Sequence, residues 1–330
     1  TNGDGAFGGT ISLATAAPSL TPSLEVNGGY GTYNSYNVGM NFSSGLLWNR
    51  LVFNGAYHES RTDGFMHGTA RRSGSYLGAL TYYGDKFTLS YKNLGNFEKT
   101  GQAWSGATGG NDDATLVADG IYTYKDMYKH GLGRYNYLYE GLVFDDDAYA
   151  FPKDANGNYQ TYRYKMSNGS LWNKTTDNFY QNHNILSAAF TPSAHWSHHV
   201  ALHYTYGYGY YAELKPSCKF SKFGLTYYDR DGNFVKRSDF IRKKGLAQNT
   251  YGLVYNANYK DDEWDVVGGL NLQQFRGSHF GYLTYIANED ANAQYRANGD
   301  YQYYDSKARK DDYSAFIKAT LRLSQSWDMF

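Results

Sequence analysis

The sequence lacks the features that mark disulfide-rich proteins and helical membrane proteins. Its 330 residues include five prolines and a single cysteine, Cys218. One cysteine permits neither an intrachain disulfide nor a cysteine metal cluster. Mean hydropathy is −0.66, and no run of about 18 apolar residues occurs, which excludes a transmembrane helix but not a membrane barrel.

Charge and catalytic motifs are equally sparse. The 31 basic residues balance the 31 acidic ones, and no basic stripe or motif indicates nucleic-acid binding. We find no nucleophile elbow, His-Glu-x-x-His, phosphate loop or clean carboxylate pair, so we expect no enzyme and no cofactor. There is no signal peptide, and neither end looks like a natural terminus, so we expect a fragment or a truncated mature chain.

Aromatic residues and period-two alternation are abundant. Aromatics make up 18% of the residues, with 36 tyrosines beside 37 glycines, and Tyr and Trp suit a membrane–water boundary. Near the end of the chain, Tyr313, Ala315, Ile317 and Leu321 alternate with mostly polar neighbours. The alternation predicts strands at 22–33, 35–45, 48–59, 74–83, 86–96, 179–190, 197–211, 249–260, 263–276 and 311–324, with an eleventh from Ser326.

The links between these strands alternate between short and long, except for a short first link near Asn34. The long polar connections are 60–73, 97–178, 212–248 and 277–310. Outer-membrane barrels have this asymmetry, with tight periplasmic turns and long extracellular loops. We therefore predict an all-β, transmembrane antiparallel β-barrel. The alternative is a secreted sandwich or propeller, which has no reason to place its long loops at one end.

The glycine-rich opening carries a family resemblance. Gly5, Gly8 and Gly9 precede Ile11-Ser12-Leu13, and Arg61-Thr62-Asp63-Gly64-Phe65 follows the third strand. In this order the segments resemble the plug end and early barrel of TonB-dependent outer-membrane receptors. Residues 99–104 and 176–183 are similar to segments of the Bacteroidetes-type members. The resemblance implies that 1–18 end a plug domain and that 19–330 form about half of a 22-stranded barrel.

The resemblance also implies a function. Such receptors take up scarce solutes (ferric siderophores, haem, cobalamin or similar metal complexes) into the periplasm, driven by the proton gradient through TonB and its inner-membrane complex. Lipid and lipopolysaccharide would surround the barrel in the bacterial outer membrane, and a surface lipoprotein is a further candidate partner. The alternatives are a passive channel or adhesin barrel and an outer-membrane enzyme.

Candidate site residues follow from these expectations. Polar members of the strands should face the plug or water, and this set contains Lys92, Asn256, Lys318 and Arg322. Loop aromatics are candidate ligand contacts because aromatic faces bind planar ligands and sugars. They are Trp104, Tyr122, Tyr124, Tyr135 and Tyr137, and each has loop packing or a boundary belt as its alternative role.

Two further clusters are weaker metal candidates. Asp145-Asp146-Asp147 offers oxygen ligands, but its spacing matches no calcium loop, which favours a solvated acidic turn. The histidines at 195, 198, 199 and 203 do not all share one face of a strand. We therefore predict no metal site.

The alternation makes a direct prediction about solvent exposure. Spin labels at Leu253 and Tyr255, introduced as cysteines after Cys218→Ser, should report hydrocarbon because these positions face lipid. Labels at Asn256 and Asn258 should report water. Accessibility to oxygen and to a nickel chelate measures the difference, and the reverse pattern would contradict the barrel.

Overall fold

One antiparallel sheet of eleven strands dominates the computed structural model. The structure describes residues 17–102, 104, 106–107, 114–324 and 327–329. The strands of this sheet are β1 (Pro22–Gly31), β2 (Ser35–Ser44), β3 (Leu51–Thr62), β4 (Arg71–Tyr83), β5 (Phe87–Thr100), β8 (Thr176–Phe190), β9 (Trp196–Lys219), β12 (Arg237–Lys260), β13 (Trp264–Ile286), β14 (Tyr301–Ser324) and β15 (Trp327–Met329). The prediction of ten strands and the start of an eleventh is confirmed.

The remaining elements belong to the connections. Two small hairpins, β6 (Glu140–Leu142) with β7 (Thr161–Arg163) and β10 (Tyr227–Tyr228) with β11 (Phe234–Val235), stand apart from the main sheet. The helices are short: α1 (Ala114–Ala118), α2 (Tyr124–Lys129) and α3 (Glu289–Tyr295). Among the described residues, no helix has the length and apolar character needed to cross a membrane.

Every strand pairs with the next strand of the sheet in chain order. The first link has three residues, 32–34, and Ser35 N–H donates to Thr32 O at 3.1 Å across Tyr33 (φ 58°) and Asn34 (φ 52°), which both have positive φ. Two consecutive positive φ values define the type I′ turn that matches the twist of a hairpin. This local geometry explains why the first link is short on a side where the later links are long.

The register divides the sheet into an apolar and a polar face. Leu253 of β12 lies opposite Leu202 of β9 and Leu272 of β13, and successive side chains of a strand point to opposite sides. Gly252 therefore faces the other way with Gln273 and His203, and Val254 does so with Asn271 and Ala201. We call these two sides the apolar face and the polar face.

Aromatic rings line the apolar face where the strands meet the short turns. Trp196 and Trp264 are the first residues of β9 and β13. The Trp196 ring lies 5.1 Å from Tyr259 and 5.6 Å from His198 between centroids. Tyr and Trp concentrate at this level in membrane barrels because one end of each ring is apolar and the other is polar. The turn end of the sheet thus carries an aromatic belt.

The strands are longer than predicted at their loop ends. Strands β9, β12 and β14 have 24 residues each and β13 has 23, whereas about ten suffice to cross a membrane. The actual connections are therefore shorter than the predicted 60–73, 97–178, 212–248 and 277–310. They run over 63–70, 101–175, 220–236 and 287–300.

The physical reason for this difference is the loss of apolar alternation in the strand extensions. Arg242, Lys243 and Lys244 are consecutive cations in β12, and Lys307, Arg309 and Lys310 crowd β14. In the part of the strands beyond the predicted membrane, neither face has to be apolar. Strand pairing therefore continues there although the sequence shows no apolar–polar alternation. The division into 1–18 and 19–330 stays a prediction, since 1–16 lie outside the described residues.

Three small cores hold the connections onto these extensions. Segment 220–236 packs through Phe220 and Phe223 on Phe240, Leu283 and Ile286 at the ends of β12 and β13. A second core lies within 101–175, which we call the insert, and contains Leu116, Ile121, Met127, Leu132 and Tyr159. In the third, Leu138, Tyr139 and Trp172 of the insert pack on Leu214 of β9. The long loops are therefore packed structures built on the strand ends.

The two faces should respond differently to a buried charge. Leu272→Arg places a cation on the apolar face and should cost about 2–4 kcal/mol of folding free energy near the bilayer middle. Asn271→Arg, the matched control on the polar face, should cost far less. Urea unfolding in lipid vesicles measures both, and equal losses would argue against lipid on the apolar face.

Candidate functional site

A basic and aromatic cluster lies on the polar face at the loop end of β9, β12 and β14. It consists of Tyr211, Glu213, Lys215, Arg242, Lys244 and Tyr304. Register brings it together, because Lys244 pairs with Tyr211, Arg242 pairs with Glu213, and Gly281 links Lys244 to Tyr304. We call this group the rim cluster.

The carboxylate of Glu213 organises the charges of the rim cluster. Arg242 donates to Glu213 Oε1 from Nε at 2.8 Å and from Nη2 at 2.5 Å. Lys215 Nζ lies 2.9 Å from Oε2 of the same carboxylate. The Glu213 side chain is 7% exposed and that of Arg242 is 16% exposed, so this pair is shielded from water. One carboxylate contacts two of the three cations but neutralises a single charge, so the cluster stays positive.

The third cation, Lys244, lies between two phenol rings. Its Nζ is 5.8 Å from the ring centroid of Tyr211 and 5.9 Å from that of Tyr304. Such distances allow a cation–π attraction that holds an ammonium in place without an anion. The ammonium is therefore positioned but not neutralised by these rings.

A cleft of about 600 Å³ opens beside Lys244. Its wall includes Tyr211, Tyr304, Phe179, His279 and Asp177. Binding clefts combine apolar and aromatic walls with a few placed polar groups that fix the ligand's orientation. This cleft has that composition: its aromatic walls can hold a planar group, and the Lys244 ammonium and the Asp177 carboxylate are the charged groups that would orient it.

The five loop aromatics predicted as ligand contacts fall into two groups in the structure: two pack between segments and three are exposed. Tyr124 packs against Phe65 with ring centroids 5.9 Å apart. Tyr135 lies between the His67 ring, stacked at 4.6 Å, and the Arg163 guanidinium at 4.0 Å. These two rings join the insert to segment 63–70. Trp104, Tyr122 and Tyr137 are exposed by 66%, 65% and 46%, and a ligand role for the five stays a prediction.

Polar contacts further fix the insert. Lys153 and Tyr159 both hydrogen-bond the Asp119 carboxylate, and they hold the pKa of that carboxyl below its usual range. Burial raises the pKa of Tyr164 to about 12 because the interior disfavours the phenolate. These groups act in packing, which is the alternative role given above for loop tyrosines.

The four polar strand residues share the face of the rim cluster. Asn256 pairs with Gly269, which pairs with Phe316, and Lys318 pairs with Val267. Phe316 and Lys318 are two residues apart in β14, so Asn256 and Lys318 share a face. Lys92 pairs with Ala79 and Ile185, and Arg322 pairs with Asp328. By alternation all four lie opposite the apolar series. Their contact with a plug stays a prediction, and Gly5, Gly8 and Gly9 lie outside the described residues.

The described residues contain no group of three or more metal-ligating side chains. Asp145 instead accepts hydrogen bonds from the backbone N–H groups of Asp147 and Ala148, both at 3.0 Å, as in an acidic turn. His198 belongs to the aromatic belt, where its Nδ1 lies 2.9 Å from the Tyr255 hydroxyl. The local structure thus gives Asp145 and His198 contacts within the protein, and the absence of a metal site stays a prediction.

Sequence reasoning missed the rim cluster because Arg242 and Lys244 fell within a predicted loop, 212–248. The available signal was the triple cation 242–244 beside the Tyr-rich stretch 204–211. Their proximity depends on a strand register that joins residues about 30 positions apart. A pattern confined to one strand does not contain that information.

Comparison with known proteins shows the fold. The chain is similar to the ferric-catecholate import receptor Fiu of Escherichia coli K12 (TM-score 0.57, 9% identity), with 95% of this chain and 44% of that chain covered. It is also similar to FpvA of Pseudomonas aeruginosa bound to heterologous pyoverdines (TM-score 0.53, 12% identity), covering 94% and 36%. FpvAI in its complex with pyocin S2 gives a TM-score of 0.55 at 12% identity, with 94% and 36% covered.

These structural neighbours are TonB-dependent receptors, and the chain spans less than half of their length. No family model matches the chain, and no curated protein matches its sequence. The predicted fold class is confirmed: the chain has the fold of part of an outer-membrane β-barrel wall. The barrel is not closed by this chain alone.

The buried charges of the rim cluster should stabilise the strand extensions. Glu213→Gln leaves Arg242 without its shielded anion and should lower the local opening free energy by about 3 kcal/mol. Hydrogen exchange of residues 209–215 and 240–246 measures this loss. Arg309→Gln removes an exposed pair with Asp311 and should cost under about 1 kcal/mol. Equal effects would show that the Glu213 pair is not stabilising.

Proposed function

We propose that the chain forms part of the wall of a TonB-dependent receptor in the bacterial outer membrane. Its role is active uptake of a scarce solute such as a ferric siderophore, haem, cobalamin or a similar metal complex. The observation that supports this most is the correspondence of nearly the whole chain to the barrels of siderophore import receptors. The transported complex is cargo, and the proposal assigns no catalytic step to the wall.

The rim cluster supplies a capture site for such cargo. Iron(III) catecholate complexes and haem carry negative charge beside planar aromatic groups. This combination suits the Lys244 ammonium between the rings of Tyr211 and Tyr304. A positive, partly enclosed surface raises the local concentration of anions and the rate of their encounter. Burial of the aromatic group against the two rings then slows dissociation.

The proposal includes energy coupling through the start of the chain, of which residues 1–16 lie outside the described residues. Segment 1–18, with Gly5, Gly8 and Gly9, would end the plug that TonB and its inner-membrane complex pull upon. Lys92, Asn256, Lys318 and Arg322 would offer this plug hydrogen-bond partners along the polar face. A surface lipoprotein that covers the loop end is compatible with the proposal and is not required by it.

Energy-dependent uptake tests this proposal. Cells that depend on this protein should accumulate one of three probes: an iron(III) tris-catecholate, haemin or cyanocobalamin. A protonophore should abolish the uptake, because the proton gradient supplies the work. Lys244→Met should raise the half-saturating concentration of an anionic probe about tenfold by removing the ammonium. Lys125→Met, on exposed helix α2, is the matched control.

Two results would contradict active uptake. One is accumulation that continues unchanged in the presence of the protonophore. The other is steady ion conductance of the purified protein in planar bilayers, which is the behaviour of a passive channel.

A further inference from the structure

The cleft beside Lys244 also contains an acidic side chain. Asp177 of β8 pairs with Tyr211 of β9, and Tyr211 pairs with Lys244 of β12. Directly paired residues point to the same side of a sheet, so the carboxylate and the ammonium lie on the polar face, one on each side of Tyr211. Both groups line the cleft of about 600 Å³. One cavity therefore presents a negative and a positive charge to its contents.

The two charged side chains have no partner in the protein that neutralises them. Two strand spacings separate the Cα atoms of Asp177 and Lys244 by about 10 Å. Within the part of the chain that the structure describes, no ion pair or side-chain hydrogen bond is seen for either residue, and Lys244 contacts only the faces of its two phenol rings. Both charges are therefore available to a ligand.

The surroundings of Asp177 favour a cation at its end of the cleft. Burial of the side chain, and then the nearby Glu98 carboxylate, raise the pKa of Asp177 above its usual range. Glu98 shares the polar face, because it pairs with Phe179, two residues from Asp177. A cationic group placed here would offset the repulsion between the two carboxylates.

Glycines give the cleft flat aromatic walls beside these charges. A Cβ atom at Gly209 would lie 2.7 Å from Cδ2 of Phe179, and a Cβ atom at Gly281 would overlap the Tyr304 ring. Carbon atoms in contact lie about 3.5–4.0 Å apart, so only glycine lets the two rings lie against the strands. Leu246 adds an apolar side chain to the same wall. The cleft thus fits a planar, apolar core.

We propose that the cleft selects a zwitterionic solute, with a cationic group at Asp177, an anionic group at Lys244 and a planar core against the aromatic walls. This inference rests on the proposed function and names the charge class of the cargo. A solute with only negative charge would be attracted by Lys244 but repelled by Asp177, and a solute with only positive charge would meet the reverse. Repulsion of the wrong charge is a common source of specificity.

Three small probes that share one benzene ring test the charge class. The probe para-(aminomethyl)benzoate carries both charges, para-methylbenzoate carries only the anion, and benzylammonium carries only the cation. The purified protein in detergent should bind the first probe about tenfold more tightly than either of the others. Saturation-transfer NMR titrations measure the three dissociation constants. Equal affinity for para-methylbenzoate and the zwitterion would overturn the proposal.

Substitutions assign the preference to the two residues. Asp177→Asn should weaken binding of the zwitterion about tenfold while para-methylbenzoate binds as well as before or better, because a repulsion has been removed. Lys244→Met should weaken para-methylbenzoate and spare benzylammonium. Asp305→Asn is the matched control, since Asp305 follows Tyr304 in β14 and therefore lies on the opposite face.

These variants also exclude a general loss of structure. A damaged fold would weaken all three probes, whereas the proposal requires Asp177→Asn and Lys244→Met to affect different ones. The comparison of probes on the unchanged protein needs no substitution, so it decides the charge class even if a variant does not fold. An Asp177→Asn variant that keeps the full preference for the zwitterion would overturn the assignment.

Uptake separates this inference from the proposed function. Probe binding requires no energy source, so a preference for the zwitterion would stand even if uptake were insensitive to a protonophore. Protonophore-sensitive uptake of the iron(III) tris-catecholate, combined with equal binding of para-methylbenzoate and the zwitterion, would support the proposed function and overturn the charge class.

Discussion

The whole structure depends on the need of each backbone N–H and C=O group for a partner where no water is present. Lipid offers no hydrogen bonds, so a chain of strands can cross it only if neighbours pair along their full length. The described strands do this in strict chain order. Because the ladder satisfies the backbone, the side chains of alternate positions are free to match lipid on one face and a polar interior on the other.

Above the lipid the same ladder continues under different constraints. Strands β9, β12, β13 and β14 extend well past the apolar band, and water there satisfies any exposed group. The sequence can therefore place cations, carboxylates and tyrosines on either face. The long connections pack on these extensions through small aromatic cores, which makes the loop end a firm support for a binding surface.

The alternation also separates two kinds of positive charge. Lys244 and Arg242 lie on the polar face, beside a cleft walled by aromatic rings. Arg61, Arg72 and Lys99 lie on the opposite face, at the loop ends of β3, β4 and β5. A single-layered sheet thus presents one set of side chains to a solute and another to the membrane. The period of two in the side-chain directions keeps these surfaces from competing for the same ligand.

The residue pattern alone predicted the strands within the apolar band and their antiparallel order, and it assigned Lys92, Asn256, Lys318 and Arg322 to the face opposite the apolar series. A period of two is a local signal that lipid on one face imposes strongly. How far the strands extend, and that Arg242 pairs with Glu213, became evident from the folded structure. It alone also showed that Tyr124 and Tyr135 pack between loops. These outcomes depend on register and on contacts between distant segments, which no local period encodes.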